Sequence, residues 1–122
     1  PIHWAHEMTQ GKHEMMTDSE AVEAAGFDKR TAPGLLGAAM FEMEKRAVDY
    51  DAPRGERSIA RTVAMFNAAT DHKLSESDGW LFMMFLKIVR DRSVEGGHQD
   101  SCTDLTAYAS LYGESRLSPA RP

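Results

Sequence analysis

The chain has 122 residues, of which 42% are hydrophobic and 27% charged, and its net charge is −5. That length makes one domain able to bury about two-thirds of its unfolded surface. The acidic balance argues against a bulk electrostatic grip on duplex DNA or on RNA. A single cysteine, Cys102, excludes an internal disulfide and suits a reducing compartment, and no secretory leader or membrane-spanning run stands out.

Residues 1–16 hold His3, His6 and His13 without a sustained period, and read as an arm rather than a packed element. Thr17-Asp18-Ser19-Glu20 opens a short helix that Gly26 closes. The arm with this helix is expected over residues 1–30. Thr31-Ala32-Pro33 starts a long helix, because proline at a first turn gives up an N–H that has no helical partner. Leu36, Met40, Met43, Ala47 and Tyr50 give it a predicted apolar stripe, with the pair Glu42 and Arg46 on its shoulder.

Residues 51–55 carry a proline and a glycine and break that helix. The next helix is expected from about Glu56 to Ala69, with Ile59, Val63 and Phe66 inward and Arg57 and Arg61 outward. After a loop at 70–73, Ser75 and Asp78 form a capping-box pattern ahead of an unbroken apolar run from Trp80 to Leu86. A helix apolar on every side belongs at the centre of a bundle. Lys87 interrupts the run, so its ammonium must reach water or meet a carboxylate.

Gly96-Gly97 then precedes a last helix with Cys102, Leu105, Ala109 and Tyr112 as its predicted buried stripe. Asp100, Asp104 and Tyr108 follow at four-residue spacing on the neighbouring shoulder. Two carboxylates one turn apart repel unless a cation sits between them. Ser101 and Asp104 also fit a second capping box, so the spacing leaves a local and a metal-binding reading open. Eight methionines are many for this length; at helical spacing they read as core fillers, with an adaptable binding surface as the alternative. Without a credible strand, the fold class is all-α: a compact four-helix-type bundle over 31–113, an irregular N-terminal arm and a loose tail at 114–122.

Residues about 38–113 resemble a small family of uncharacterised phage and prophage proteins. The resemblance lies in Arg46-x-x-x-Tyr50, Asp78 ahead of the apolar run, Lys87-x-x-Arg90, and Asp100-x-x-x-Asp104-x-x-x-Tyr108. That family is in turn similar to the MazG-like all-α nucleoside triphosphate pyrophosphohydrolases, which hold Mg²⁺ on acidic residues of paired helices. An E-x-x-E spacing occurs here at Glu20 and Glu23, outside the resembling stretch.

The resemblance implies a phage-encoded cytoplasmic protein of the infected host that binds, and in its enzymatic form hydrolyses, a nucleotide. Asp100, Asp104, Asp78 and Glu42 would hold Mg²⁺, and Arg46, Lys87 and Arg90 would neutralise phosphate oxygens. The alternative is a non-catalytic protein that grips a host protein or sequesters a signalling nucleotide, its charges forming a lock between helices. A homodimer is expected on either reading, because small bundles with one very apolar helix often pair.

Overall fold

The computed structural model describes residues 26–49 and 58–118. Among the described residues the chain is an all-α bundle of four helices: α1 (Ala32–Asp49), α2 (Ser58–Thr70), α3 (Glu76–Arg92) and α4 (Gln99–Leu117). The short helix expected before Gly26, the three N-terminal histidines, the Glu20/Glu23 pair and Tyr50 lie outside the described residues.

Local signals set the helix ends. Thr31 Oγ1 accepts from the Gly34 N–H at 3.2 Å and so opens α1 one residue before Pro33 enters its first turn. The predicted capping box of α3 is present, with Ser75 Oγ accepting from the Asp78 N–H at 3.2 Å and the Asp78 carboxylate accepting from the Ser75 N–H at 2.8 Å. Gly96 and Gly97 both take positive φ in the α3–α4 turn, where a side chain would be strained.

The α3–α4 turn is also stapled by Asp91. Its Oδ1 accepts from the His98 N–H at 2.7 Å and from the Cys102 thiol at 3.4 Å. On the other side of α3, Asn67 clamps the α2–α3 connection. Its amide donates to the Leu74 carbonyl and accepts from the Leu74 N–H, both at 2.9 Å.

The largest interface joins α3 to α4; α1 packs on α4 and α2 on α3. The main packing therefore runs α2–α3–α4–α1. Trp80, Tyr108 and Leu111 form the core, with Met43, Ile59, Met83, Met84 and Tyr112 packed around them. Trp80 is 1% exposed and still satisfies its indole, donating to Glu76 at 3.2 Å. Helices α2 and α3 approach closely at Gly79, where an added Cβ would stand 2.7 Å from methyl groups of both Ile59 and Val63.

Several sequence expectations change. The buried side of α1 is Ala38, Ala39 and Phe41, while Leu36 and Met40 face out. The small residues allow close helix approach, which the more hydrophobic stripe would prevent. In α4 the buried residues are Ser101, Thr103, Ala107, Tyr108 and Leu111, and Ala109 is exposed. Apolar residues occur all around that helix, so the choice of face falls to the partners of Tyr108 and Asp104. Ser101 does not cap α4: His98 holds the N-cap position, and Ser101 Oγ, buried inside the helix, pairs with His98 Nδ1 at 2.7 Å.

Helix α3 is not enclosed on every side, since Phe82 and Phe85 are exposed. In α2, Val63 is buried and Ile59 joins the core as expected, but Phe66 is exposed and stacks on His72 at 5.8 Å. The tail boundary also moves, because α4 runs through Leu117 rather than stopping at 113. Glu114 to Leu117 contain no proline or glycine that would stop the helix sooner.

Trp80→Ala should lower unfolding free energy by about 3–5 kcal/mol. Gly79→Ala should lower it by about 1–3 kcal/mol through overpacking against α2. Urea denaturation of both variants checks the two magnitudes; a neutral Gly79→Ala would mean that α2 can move away freely.

Candidate functional site

Glu42, Arg46, Lys87, Asp104 and Tyr108 come together from α1, α3 and α4. Lys87 Nζ lies 2.8 Å from Asp104 Oδ2, with side chains only 12% and 25% exposed. Of the two outcomes open to this lysine, water or a carboxylate, it has met the carboxylate of the neighbouring helix instead of snorkelling to water. A pair so largely withdrawn from water is held by geometry, since desolvation offsets much of the Coulomb attraction.

Tyr108 joins the three helices. Its ring meets Trp80 of α3 at a centroid distance of 5.6 Å and a tilt of 31°. The Lys87 ammonium stands 5.9 Å from the centre of the same ring, within cation–π range. Its side chain also takes a hydrogen bond from Arg46 of α1. Partial burial works against the charged Arg46 guanidinium, but Tyr108, Asp104 and Glu42 together outweigh it and raise its pKa above the ordinary arginine value. One side chain thus meets the Trp80 core, the Lys87 ammonium and Arg46.

The remaining predicted site residues are elsewhere. Asp78 is exposed and occupied with the α3 cap, which holds its pKa below the usual carboxylate range through the Ser75 backbone and side chain. Asp100 and Arg90 are exposed and do not enter the Lys87–Asp104 pair. The predicted phosphate group Arg46, Lys87 and Arg90 is therefore divided, with two members inside the lock and one outside. Among the described residues, no three His, Cys, Asp or Glu side chains gather as metal ligands would.

Sequence reasoning missed a second cluster at the α3–α4 turn. Asp91, His98, Ser101 and Cys102 stand together there, and their short spacing around Gly96-Gly97 was the available signal. The arrangement does not make a nucleophile. Burial and then the Asp91 carboxylate raise the Cys102 pKa, keeping the thiol protonated and less reactive. Ser101 is 2% exposed, and Asp91 bonds the His98 backbone rather than orienting its ring. Gln99 extends the staple by donating to the Lys29 carbonyl at 3.0 Å, tying the start of α4 to the segment before α1.

Comparison with family models, curated proteins and solved structures gives no match to the chain.

Asp104→Asn should destabilise the protein by about 1–3 kcal/mol, because it leaves a largely buried Lys87 without its counter-charge. Combining it with Lys87→Met should recover much of that loss, and a double-mutant thermal cycle measures the coupling.

Asp91 supplies a pH test. The His98 backbone N–H, followed by the Cys102 thiol, lowers its pKa from the model-compound value of 3.8. Its contribution is therefore present above that value and lost as pH falls through the lower folded one. Asp91→Asn should be less stable than wild type near neutrality, and the difference should close as pH falls through and below the ordinary carboxylate range. A difference that persists unchanged to strong acid would contradict the ionic staple.

Proposed function

We propose that the protein works by binding other protein surfaces, as a non-catalytic phage accessory protein, rather than by turning over a nucleotide. The observation that carries this reading is the orientation of α3. Its lysine is turned inward, at 12% side-chain exposure, while Phe82 is 71% exposed. A helix that holds its mid-helix lysine between neighbours, keeps its arginines at one end and offers phenylalanine to the surroundings is built for apolar contact.

The charge arrangement supports the same conclusion. Phosphate binding by Lys87 requires a donor aimed at an open site, whereas its ammonium is held by Asp104 and lies over Tyr108. Mg²⁺ binding by Asp104 requires carboxylate lone pairs free of a competing cation. Breaking the pair would expose two partly desolvated charges before any ligand is gained. Glu42 and Arg46 serve the same lock from α1.

Incubation with Mg²⁺ and a panel of nucleoside triphosphates tests the reading. Neither pyrophosphate release nor a rise in melting temperature at millimolar nucleotide is expected. Mg²⁺-dependent release that Asp104→Asn abolishes would restore the hydrolase reading and the Mg²⁺ cofactor with it.

A further inference from the structure

The open side of α3 has a heptad-like pattern. Asp78, Phe82, Phe85, Val89 and Arg92 follow one another at spacings of four, three, four and three, and all five are exposed. That alternation is the a/d seam of helices that pair side by side. Helices α2 and α4 cover other sides of α3, through Gly79 and through Trp80 and Lys87, so this seam is left over after the bundle has formed.

The seam is also self-complementary. It is apolar in the middle, acidic at its N-terminal end and basic at its C-terminal end, with Phe85 midway between Asp78 and Arg92. We propose that a second copy of this chain occupies it, the two α3 helices packing antiparallel about a two-fold axis at Phe85. Phe85 then meets its own copy, Phe82 meets Ile88 of the second copy, and Leu81 meets its Val89. Asp78 lies opposite Arg92 of the second copy at both ends of the seam. A parallel pair would instead set each acid against acid and each base against base.

The available area fits this occupant. Phe82, Phe85, Ile88 and Val89 are 71%, 55%, 37% and 62% exposed. With large side chains of about 150–250 Å² each, they present on the order of 400 Å² of apolar surface per copy. Interfaces are a little over half apolar, so this corresponds to about 700 Å² per partner, close to the ~800 Å² of a standard specific interface. The proposal deepens the protein-binding reading by naming the first occupant of the face.

Sedimentation velocity over a concentration series should show a reversible dimer in the micromolar range that weakens with added salt. Phe85→Ser should weaken it by about 100-fold, and Arg92→Glu by about 10-fold, because two acids would then face each other. Both positions are exposed, so circular dichroism and melts should show intact folded monomers. Orientation is read by crosslinking in a Cys102→Ser background. Under oxidation at ~1 mM protein, where even a ~100-fold weakened dimer still forms, Phe85→Cys should give a disulfide-linked dimer and Phe82→Cys should not, since only position 85 lies on the axis.

A wild-type protein that remains monomeric to ~1 mM would overturn the dimer while leaving the protein-binding reading in place. Equal crosslinking at 82 and 85 would overturn the antiparallel arrangement. Mg²⁺-dependent nucleotide hydrolysis by a protein that still dimerises would remove the functional reading alone, so the two failures are separable.

Discussion

The Lys87–Asp104 pair, set against the Trp80–Tyr108 stack, is the constraint on which the arrangement of the helices depends. Once Lys87 reaches Asp104 and Trp80 reaches Tyr108, the rotation of α3 about its own axis is fixed at two points nearly two turns apart. The same contacts fix α4, because Asp104 and Tyr108 are one turn apart on one face. Arg46 of α1 interacts with the same Tyr108 side chain, and α1 packs on α4. A purely apolar seam would tolerate a rotated α3, since this helix has apolar residues on most of its circumference. The ion pair distinguishes among those rotations because only one of them gives Lys87 a carboxylate.

Two further polar devices keep that choice from being undone at the helix ends. Asp91 draws the start of α4 toward the end of α3 through a backbone N–H and a thiol. Asn67 holds the entry to α3 by pairing with both backbone groups of Leu74. Each replaces water at a turn that positive-φ residues have already shaped: Gly96 and Gly97 in one case, Asp71 in the other. The four-helix order α2–α3–α4–α1 follows from local closure at the two α3 turns and from long-range ties between α4 and the α1 region, through Tyr108 and through Gln99.

Much of the architecture was legible in the sequence, and the failures have a common cause. The capping box at Ser75 and Asp78, the proline at the start of α1 and the glycine break before α4 are local signals, and local hydrogen bonding realises them. Periodicity was less informative about faces. In α1 it selected Leu36 and Met40, the larger apolar residues, whereas the interior needed the flat surface of Ala38 and Ala39 beside Phe41. In α4 it selected Cys102, Leu105, Ala109 and Tyr112, of which Tyr112 packs on the core and Ala109 is exposed, while Tyr108 is the ring buried at the centre. Both errors came from treating charged residues as marks of the solvent side. Of the predicted site, Lys87, Asp104, Arg46, Glu42 and Tyr108 do assemble, because opposite charges on packed helices seek one another; Asp78, Asp100 and Arg90 had local or solvent alternatives.

The same reversal accounts for the apolar surface that remains. A helix of this composition has more hydrophobic side chains than two flanking helices can cover. Placing Lys87 inward uses part of the covered side for a charge, so phenylalanine is displaced to the uncovered side. Folding specificity and surface hydrophobicity are therefore linked in α3: the ion pair that selects one rotation also determines which residues are left in contact with water. Exposed phenylalanine at heptad spacing carries an aggregation hazard unless its ends limit what can dock. Asp78 and Arg92 provide that limit, because an arriving helix must present opposite charge at each end of the seam. In the proposed pairing the apolar middle would supply attraction, and the two charged ends would select direction and register.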